Sequence, residues 1–316
     1  DVDLSKFFDR VNHDLLMSKL GAKINNKRLL SLIGQYLRAG FIANQQRQES
    51  REGVPQGGPL SPLLANIMLD PLDKELEKRG HAFARYADDF TILVRSRRAG
   101  ERVLASISRY LQQRLKLVVN ASKSHVVKTS ESKFLGFTFK TGRILIHPNS
   151  LQRFKQQVRR LTNRNWGVAM EYQLFKTSQY LRGWIHYFGI ANCYQLCVEL
   201  DQWIRRRIRM AYWRQWRKPR TKVRNLMSRG VHVRTAVACG ITSKGPWRSS
   251  KTPGIQRALS NAYLKSRGLF ALRDGWIRRC SLYVLGLIYT CSKFAGLRCP
   301  LWIPTVFLNC FAPLPN

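Results

Sequence analysis

His81-Ala82-Phe83-Ala84-Arg85-Tyr86-Ala87-Asp88-Asp89-Phe90-Thr91-Ile92-Leu93-Val94 places two adjacent carboxylates between two short stretches rich in β-forming residues. This layout predicts a β-hairpin with the acidic pair at its tip. Adjacent ionised carboxylates repel each other, so a folded protein keeps such a pair mainly where a cation or a basic partner neutralises it. Mg²⁺ is the natural candidate because it prefers carboxylate oxygens together with substrate phosphates and water. For the pair taken alone, an ordinary solvated turn is the alternative.

A second group of carboxylates opens the chain, in Asp1-Val2-Asp3-Leu4-Ser5-Lys6-Phe7-Phe8-Asp9. Two-metal phosphoryl transfer requires carboxylates from separate segments that converge on ions about 4 Å apart. Asp3, Asp88 and Asp89 would supply such a cluster from two strands that lie side by side. The sequence therefore predicts a metal site built from both ends of this region.

A loop rich in glycine and proline separates the two acidic segments and runs Gly53-Val54-Pro55-Gln56-Gly57-Gly58-Pro59-Leu60. Its composition excludes a helix before Ser61. We expect Ser61 to cap an apolar helix that runs from Pro62 to Leu76. Asp9 is likewise expected to cap a helix over residues 11–20 rather than to bind metal.

These motifs occur in the order of the palm motifs of reverse transcriptases, and further segments extend the likeness. The chain resembles the group II intron reverse transcriptases and maturases, in the bacterial type that lacks an HNH endonuclease domain, over roughly residues 1–276. The segments that carry the resemblance are Asp3-x-x-x-Phe7-Phe8-Asp9, Pro55-Gln56-Gly57 with Ser61 to Asn66, Tyr86-Ala87-Asp88-Asp89, Asn120-Ala121-Ser122-Lys123, the primer-grip-like Phe134-Leu135-Gly136-Phe137, the thumb-like Leu181 to Phe188, Leu200 to Trp203, Trp213 to Arg217, and Ser243 to Arg248.

The resemblance implies a metal site at the three aspartates. Asp3 and Asp88 would ligate two Mg²⁺ ions, with Asp89 beside them as the second aspartate of the pair. Metal activation and positioning carry most of this chemistry, so few other side chains need to act directly.

The resemblance also implies residues for the nucleotide. Phe8 would be a steric gate that excludes ribonucleotides at the sugar 2′ position, and Gln56 and Gly57 would line the pocket of the incoming nucleotide. Lys123 would protonate or neutralise the departing pyrophosphate. Two alternatives stay open, because Phe8 could belong to the core and Lys123 could be a solvated surface charge.

The charge of the chain points independently to a polyanionic partner. Lys and Arg number 55 against 18 Asp and Glu, a formal net charge of +37, and Asp274 is the only acid after Asp201. Basic residues alternate with aromatic ones in this half, a composition typical of RNA-binding surfaces. We expect most of those rings to form a helical core. The candidate RNA-binding residues are Arg205, Arg206, Arg207 and Arg209, which wrap most of a helix, and Arg214 and Arg217 beyond them.

The composition disfavours a membrane protein and a zinc protein. The chain has no run of about 20 apolar residues and no opening signal peptide, so we expect no membrane partner and a place in the bacterial cytoplasm. The seven cysteines lack paired zinc-site spacing, and we expect them to be reduced thiols.

We predict an α+β fold: a reverse-transcriptase palm, which is an antiparallel sheet backed by helices, followed by an all-α thumb or maturase X domain. The palm is expected over residues 1–148 without its N-terminal fingers, and the thumb over 149–230. A basic C-terminal extension of the maturase region would follow over 231–278. The apolar, Cys-rich tail over 279–316 is expected not to be family sequence.

The predicted function is that of an RNA-directed DNA polymerase of a group II intron, which extends a DNA primer with dNTPs on an intron RNA template. The resemblance adds a maturase role, in which the protein binds group II intron RNA during splicing. A non-catalytic, RNA-binding maturase remnant or fragment is the alternative, because a polymerase without fingers lacks half of its nucleotide pocket.

Overall fold

The computed structural model describes residues 1–39, 41–43, 46–48, 52–55, 58–140 and 142–279, and between residues 41 and 48 it describes only the backbone. The predicted nucleotide-pocket residues Gln56 and Gly57 lie outside the described residues, as does the tail from residue 280 onward. The chain divides into two compact units, Asp1–Leu135 and Gly136–Asn316. The expected domain boundary at residue 148 stays a prediction.

The first unit has a three-stranded antiparallel sheet, in the order β1 (Val2–Asp3), β5 (Asp89–Leu93) and β4 (Ala82–Tyr86), with helices around it. This arrangement confirms the predicted α+β palm architecture. Its elements are β1 (Val2–Asp3), a 3₁₀ turn (Phe7–Asp9), α1 (His13–Gly21), α2 (Lys27–Arg38), the hairpin β2 (Phe41–Ala43) and β3 (Gln46–Gln48), α3 (Ser61–Lys78), β4 (Ala82–Tyr86), β5 (Asp89–Leu93) and α4 (Arg97–Tyr110), which continues as a π-helical turn (Leu111–Leu115).

The core of this unit is organised by one apolar stripe along α3. Leu64, Met68, Leu72 and Leu76 recur every fourth residue and are almost fully buried, so they lie on one face of the helix. They belong to the same core as the fully buried Phe90 of β5. Each such side chain contributes about 1.5–3 kcal/mol when fully buried. Burial of this stripe fixes α3 beside the strand that carries the acidic pair.

Two predicted helix caps were wrong. Ser61 is the first residue of α3 rather than its cap, and its hydroxyl donates to the carbonyl of Pro55 instead. α1 is capped by Asn12, whose Oδ1 accepts a 2.8 Å hydrogen bond from the backbone N–H of Leu15. Asp9 instead ends the 3₁₀ turn. Asn is as good an N-cap as Asp, so the residue next to the helix takes the role.

The second unit is helical apart from one opening hairpin, which agrees with the predicted helical domain. Its described elements are β6 (Phe137–Lys140), β7 (Arg143–Ile146), α5 (Pro148–Leu161), α6 (Met170–Phe188), α7 (Tyr194–Gln215), α8 (Pro219–Met227), α9 (Val233–Gly240), α10 (Pro246–Ser249), α11 (Pro253–Ala258), α12 (Asn261–Ser266) and a last helix, α13, over residues 272–279. Among the described residues we find no helix with the length and apolar character needed to cross a bilayer.

The longest helix of this unit, α7, is also one of its most enclosed. Leu200, Ile204, Ile208 and Ala211 are buried along one face, and Tyr212 and Trp213 are buried near its end. The aromatic residues of the unit divide between core and surface: Trp184, Trp213 and Trp216 are buried, whereas Tyr172 and Tyr187 are exposed. Because neighbouring helices pack on several sides of α7, a polar side chain on it, such as that of Asp201, can be buried against protein.

Candidate active site and basic surfaces

The acidic pair lies at the tip of the β4–β5 hairpin, as predicted. Tyr86 and Asp89 are opposite each other in the two strands, so Ala87 and Asp88 form a two-residue turn. Ala87 has a φ of 54°, in the left-handed region that residues with a side chain rarely adopt. The turn therefore depends on its surroundings to hold this conformation.

Arg85 supplies that support by joining the hairpin tip to α3. Its Nε donates to Asp73 Oδ1 at 2.7 Å, and its Nη1 donates to Asn66 Oδ1 at 3.0 Å and to the carbonyl of Ala87 at 3.1 Å. The ion pair with Asp73 is largely shielded from solvent by the arginine side chain's own burial. Sequence reasoning missed this anchor; the only signal was that Asn66 ends one palm-like motif and Arg85 directly precedes another.

The structure brings Asp3 next to the acidic pair. Asp3 of β1 is the direct partner of Asp89 of β5 in adjacent antiparallel strands. The turn at residues 120–124 packs on the other side of Asp3, where the N–H of Asn120 donates to the carbonyl of Asp3 at 2.8 Å. This turn carries Lys123, whose Nζ lies 3.4 Å from Asp3 Oδ2. Asp3, Asp89 and Lys123 thus meet at one end of the sheet.

The neighbouring carboxylates make Asp89 harder to ionise. Burial raises the pKa of Asp89, and the charges of Asp3 and Asp88 raise it further, while Lys133 opposes the shift. A cation would relieve this repulsion, and three carboxylates are the donor set that hard divalent ions prefer. In the part of the chain that the structure describes, no three His, Cys, Asp or Glu side chains already converge on one ion position. Asp3, Asp88 and Asp89 therefore provide the ligand type that a divalent cation prefers, but they do not form a complete coordination site around one position.

Phe7 and Phe8 have different environments. Phe7 is 2% exposed and belongs to the core, whereas Phe8 is half-buried, with its ring 5.1 Å from that of Phe7 at a steep angle. The loop that precedes α3 packs against the backbone of Phe8, where the N–H of Val54 donates to the carbonyl of Phe8 at 2.6 Å. Gly53 has a φ of 90°, and a Cβ there would lie 2.8 Å from that same carbonyl oxygen. Gly53 thus allows the loop to fix Phe8, a role that its place in a Gly-rich loop did not reveal.

The arginines predicted to contact RNA divide into two groups. Arg205, Arg206, Arg207 and Arg209 are all half-buried on α7. Arg206 stacks on Trp247 of α10 with its guanidinium carbon 3.6 Å from the ring centre, and its Nη2 donates to the Trp247 carbonyl at 3.1 Å.

Arg207 and Arg209 also make bonds within the unit. Arg207 donates to Thr162 Oγ1 at 2.6 Å, and Arg209 donates to the carbonyl of Leu259 at 2.9 Å. Burial lowers the pKa of both guanidinium groups. Arg214 and Arg217, at the end of α7, are exposed.

A second exposed surface was not predicted and lies on α6. Tyr172 and Phe175 are both exposed, and the Nζ of Lys176 lies 5.7 Å and 5.9 Å from their ring centres. Arg182 and His186 are exposed further along the same helix. The combination of exposed rings and cations offers both stacking and phosphate neutralisation.

Comparison with known proteins gives two family matches in succession. Residues 1–139 match the model for reverse transcriptases (RNA-dependent DNA polymerases), and residues 151–230 match the maturase-specific domain of group II introns.

Each individual relative matches a smaller part of this chain than the two family models do together. Protein YkfC of Escherichia coli is 30% identical over 177 residues, which is 45% of this chain and 45% of that protein. The group II intron-encoded protein LtrA of Lactococcus lactis is 43% identical over 72 residues, 23% of this chain and 12% of LtrA. A solved telomerase from Candida albicans, in complex with a fragment of telomeric RNA, is 16% identical with a TM-score of 0.38, covering 66% of this chain and 43% of that one. The chain spans less than half the length of the curated relatives it matches.

Proposed function

The chain belongs to the group II intron reverse transcriptase and maturase family, and on that premise we propose that it carries the palm and thumb of an RNA-directed DNA polymerase. Its substrates would be dNTPs and a DNA primer on a group II intron RNA template. The observation that carries the proposal is the pairing of Asp3 with Asp89 across β1 and β5, with Asp88 in the adjoining turn. The bacterial lineage without an HNH endonuclease stays a prediction.

We assign Asp3, Asp88 and Asp89 as the residues that would hold two Mg²⁺ ions. When bound, such ions neutralise the phosphates and orient the attacking and leaving oxygens. Arg85 keeps the hairpin tip in place through Asp73 and Asn66, and so supports the positions of Asp88 in the turn and Asp89 at the start of β5.

We assign the nucleotide contacts to residues around the same end of the sheet. Lys123 presents an ammonium group beside Asp3, where it can neutralise the departing pyrophosphate. Phe8, half-buried and held through the Gly53 loop, would be the ring that meets the sugar 2′ position. Gln56 and Gly57 remain proposals from the sequence motif alone.

For the maturase role we propose that intron RNA binds the exposed cations and rings of the second unit. Arg214 and Arg217 are exposed at the end of α7, and α6 presents Tyr172 beside Lys176. Phosphate neutralisation by such cations releases counterions, so RNA affinity should fall steeply as salt rises.

A non-catalytic RNA-binding remnant is the second candidate function. It would keep the basic surfaces but have no need of Asp3, Asp88 and Asp89 together. Their presence as close neighbours, at a cost in mutual repulsion that raises the pKa of Asp89, favours the polymerase.

Primer extension on an RNA template tests the proposal. We would compare the chain with Asp3→Asn and Asp88→Asn, and use Asp14→Asn, an exposed aspartate of α1, as the matched control. Extension by the parent chain and by Asp14→Asn, but by neither site variant, is expected. Binding of Mn²⁺, followed by its EPR signal, should weaken in the two site variants even if the chain extends no primer. Full RNA binding with neither extension nor Mn²⁺ binding would favour the remnant.

A further inference from the structure

A shallow, open apolar groove lies along one face of α8 in the second unit, beside Ile241, the residue that follows α9. It has a volume of about 550 Å³, and its apolar lining consists of Pro219, Val223, Met227 and Ile241. Met227 is 46% exposed and Ile241 is 68% exposed. Apolar side chains that are exposed next to one another are candidates for burial by a partner.

The groove is built into the packing of its two helices. A Cβ at Gly240 of α9 would lie 2.5 Å from Val223 Cγ2, so the glycine lets α9 approach α8 closely. Leu226 of α8 and Ala236 of α9 are completely buried. Because the two helices pack tightly, the exposed apolar side chains stand on a rigid support, which reduces the entropy lost when a partner binds.

The rim of the groove carries positive charge without internal compensation. Arg220 and Arg224 line it and are both exposed. The sequence contains no Asp or Glu from residue 202 to residue 273, so this part of the chain offers no carboxylate to pair with them. A carboxylate that pairs with Arg220 and Arg224 would therefore have to come from another molecule.

We propose that the groove docks an acidic, amphipathic peptide segment of a partner protein. Apolar side chains of that segment bury Met227 and Ile241, and its carboxylates pair with Arg220 and Arg224. This is the helix-in-groove mode of recognition, with charge at the rim fixing the orientation. The inference adds a protein partner to the proposed polymerase and does not depend on its activity.

The chemistry of the groove distinguishes this partner from others. Single-stranded bases bind on aromatic rings, and none lines this groove. A second copy of the chain would bring another +37 of formal charge toward the same arginines. Many helices that lie in a membrane surface are about 20–30 residues long, whereas α8, which forms most of the groove, has nine residues.

Fluorescence anisotropy with defined peptides tests the proposal on the full chain. The probe is a labelled helical peptide of about sixteen residues with Leu at i, i+3, i+4 and i+7 and Glu elsewhere. One control peptide replaces Glu by Lys, and a second replaces Leu by Ser to measure non-specific attraction to a basic chain. We expect only the Leu–Glu peptide to bind tightly.

Variants of the chain then test whether the peptide binds in the groove. Ile241→Ser should weaken the Leu–Glu peptide about tenfold, since it removes one exposed apolar contact. Arg224→Glu should weaken it by a similar factor. Ile277→Ser on α13 and Arg164→Glu after α5 are the matched controls, because both positions are exposed elsewhere on the unit.

The outcomes are distinct. Loss of binding in both groove variants and in neither control supports the proposal. Equal binding of the Leu–Glu and Ser–Glu peptides, or no effect of Ile241→Ser, overturns it. A short RNA whose affinity falls with Ile241→Ser while the peptide's does not would assign the groove to RNA instead.

Discussion

The carboxylate of Asp201, in the middle of α7, accepts a 2.8 Å hydrogen bond from the backbone N–H of Leu272, the first residue of α13. Its other oxygen accepts from the N–H of Arg273 at 3.0 Å. The first N–H groups of a helix have no partner within the helix. Asp201 is 4% exposed and thus caps α13 from a residue 71 positions earlier in the chain.

Replacing Asp201 by Asn should destabilise the second unit. An amide keeps one acceptor oxygen but turns its NH₂ donor toward an N–H that then lacks a partner. We expect the free energy of unfolding to fall by about 1–3 kcal/mol. Urea unfolding measures it, with Glu199→Gln, an exposed carboxylate on the same helix, as the control that should change little.

The same carboxylate gives the unit a dependence on pH. Burial raises the pKa of Asp201 above the ordinary 3.8, although its hydrogen bonds to Arg273 and Leu272 pull the pKa down in part. The native state therefore holds this proton more tightly than the unfolded chain does. Tighter binding of this proton adds to the free energy of unfolding, and that addition is largest below pH 3.8 and is lost as pH rises through the raised native pKa of Asp201.

The difference in unfolding free energy between the parent chain and Asp201→Asn isolates this contribution. As pH rises from 3.8 through the raised native pKa of Asp201, the parent chain should lose stability relative to the variant. At higher pH the difference between the two chains should stay constant. A difference that does not change with pH would show that Asp201 has an ordinary carboxyl pKa in the folded chain.

The hairpin with its acidic pair could be predicted because its signals are local. Two strands of β-forming residues and a two-residue acidic turn need only neighbours in sequence, and the strand β4 begins and ends at the expected residues. The pairing of Asp3 with Asp89 spans most of the unit, and it could be predicted only because the order of motifs resembles a known palm.

The contacts of the α7 arginines could not be predicted, because they depend on which helices surround α7. Four arginines in five positions point in most directions around a helix, so the sequence suggests solvent and phosphate. In the structure, Arg206, Arg207 and Arg209 are half-buried and bond to α10, to the residue that follows α5 and to the start of α12. These contacts come from residues 41, 45 and 52 positions away in the chain and leave no periodic signal.

Arg206→Lys should therefore act on stability rather than on RNA affinity. Lysine keeps the charge but loses the planar group that stacks on Trp247 and donates to its carbonyl. We expect a loss of about 1 kcal/mol in unfolding free energy. Thermal unfolding measures it, and an unchanged melting temperature would contradict the packing role.

Arg214→Gln should show the opposite pattern, because Arg214 is exposed at the end of α7. If it contacts phosphate, its removal reduces by about one the slope of the logarithm of RNA affinity against the logarithm of salt concentration. Stability should change by less than about 0.5 kcal/mol. Arg206→Lys serves as the control in the same binding titration, and equal slopes for all three chains would remove Arg214 from the RNA surface.

Gly53 is the position where backbone geometry, rather than side-chain chemistry, supports the candidate active site. Any side chain there would need a φ of 90° and would meet the carbonyl oxygen of Phe8 at 2.8 Å. Gly53→Ala should therefore cost at least about 2 kcal/mol of unfolding free energy. Gly21→Ala is the matched control, because a Cβ at Gly21 meets nothing within 4 Å and alanine favours the helix that Gly21 ends. Urea unfolding of both variants decides the matter: equal midpoints would mean that the loop moves away from Phe8 at little cost, and that packing against the apolar core is enough to hold Phe8.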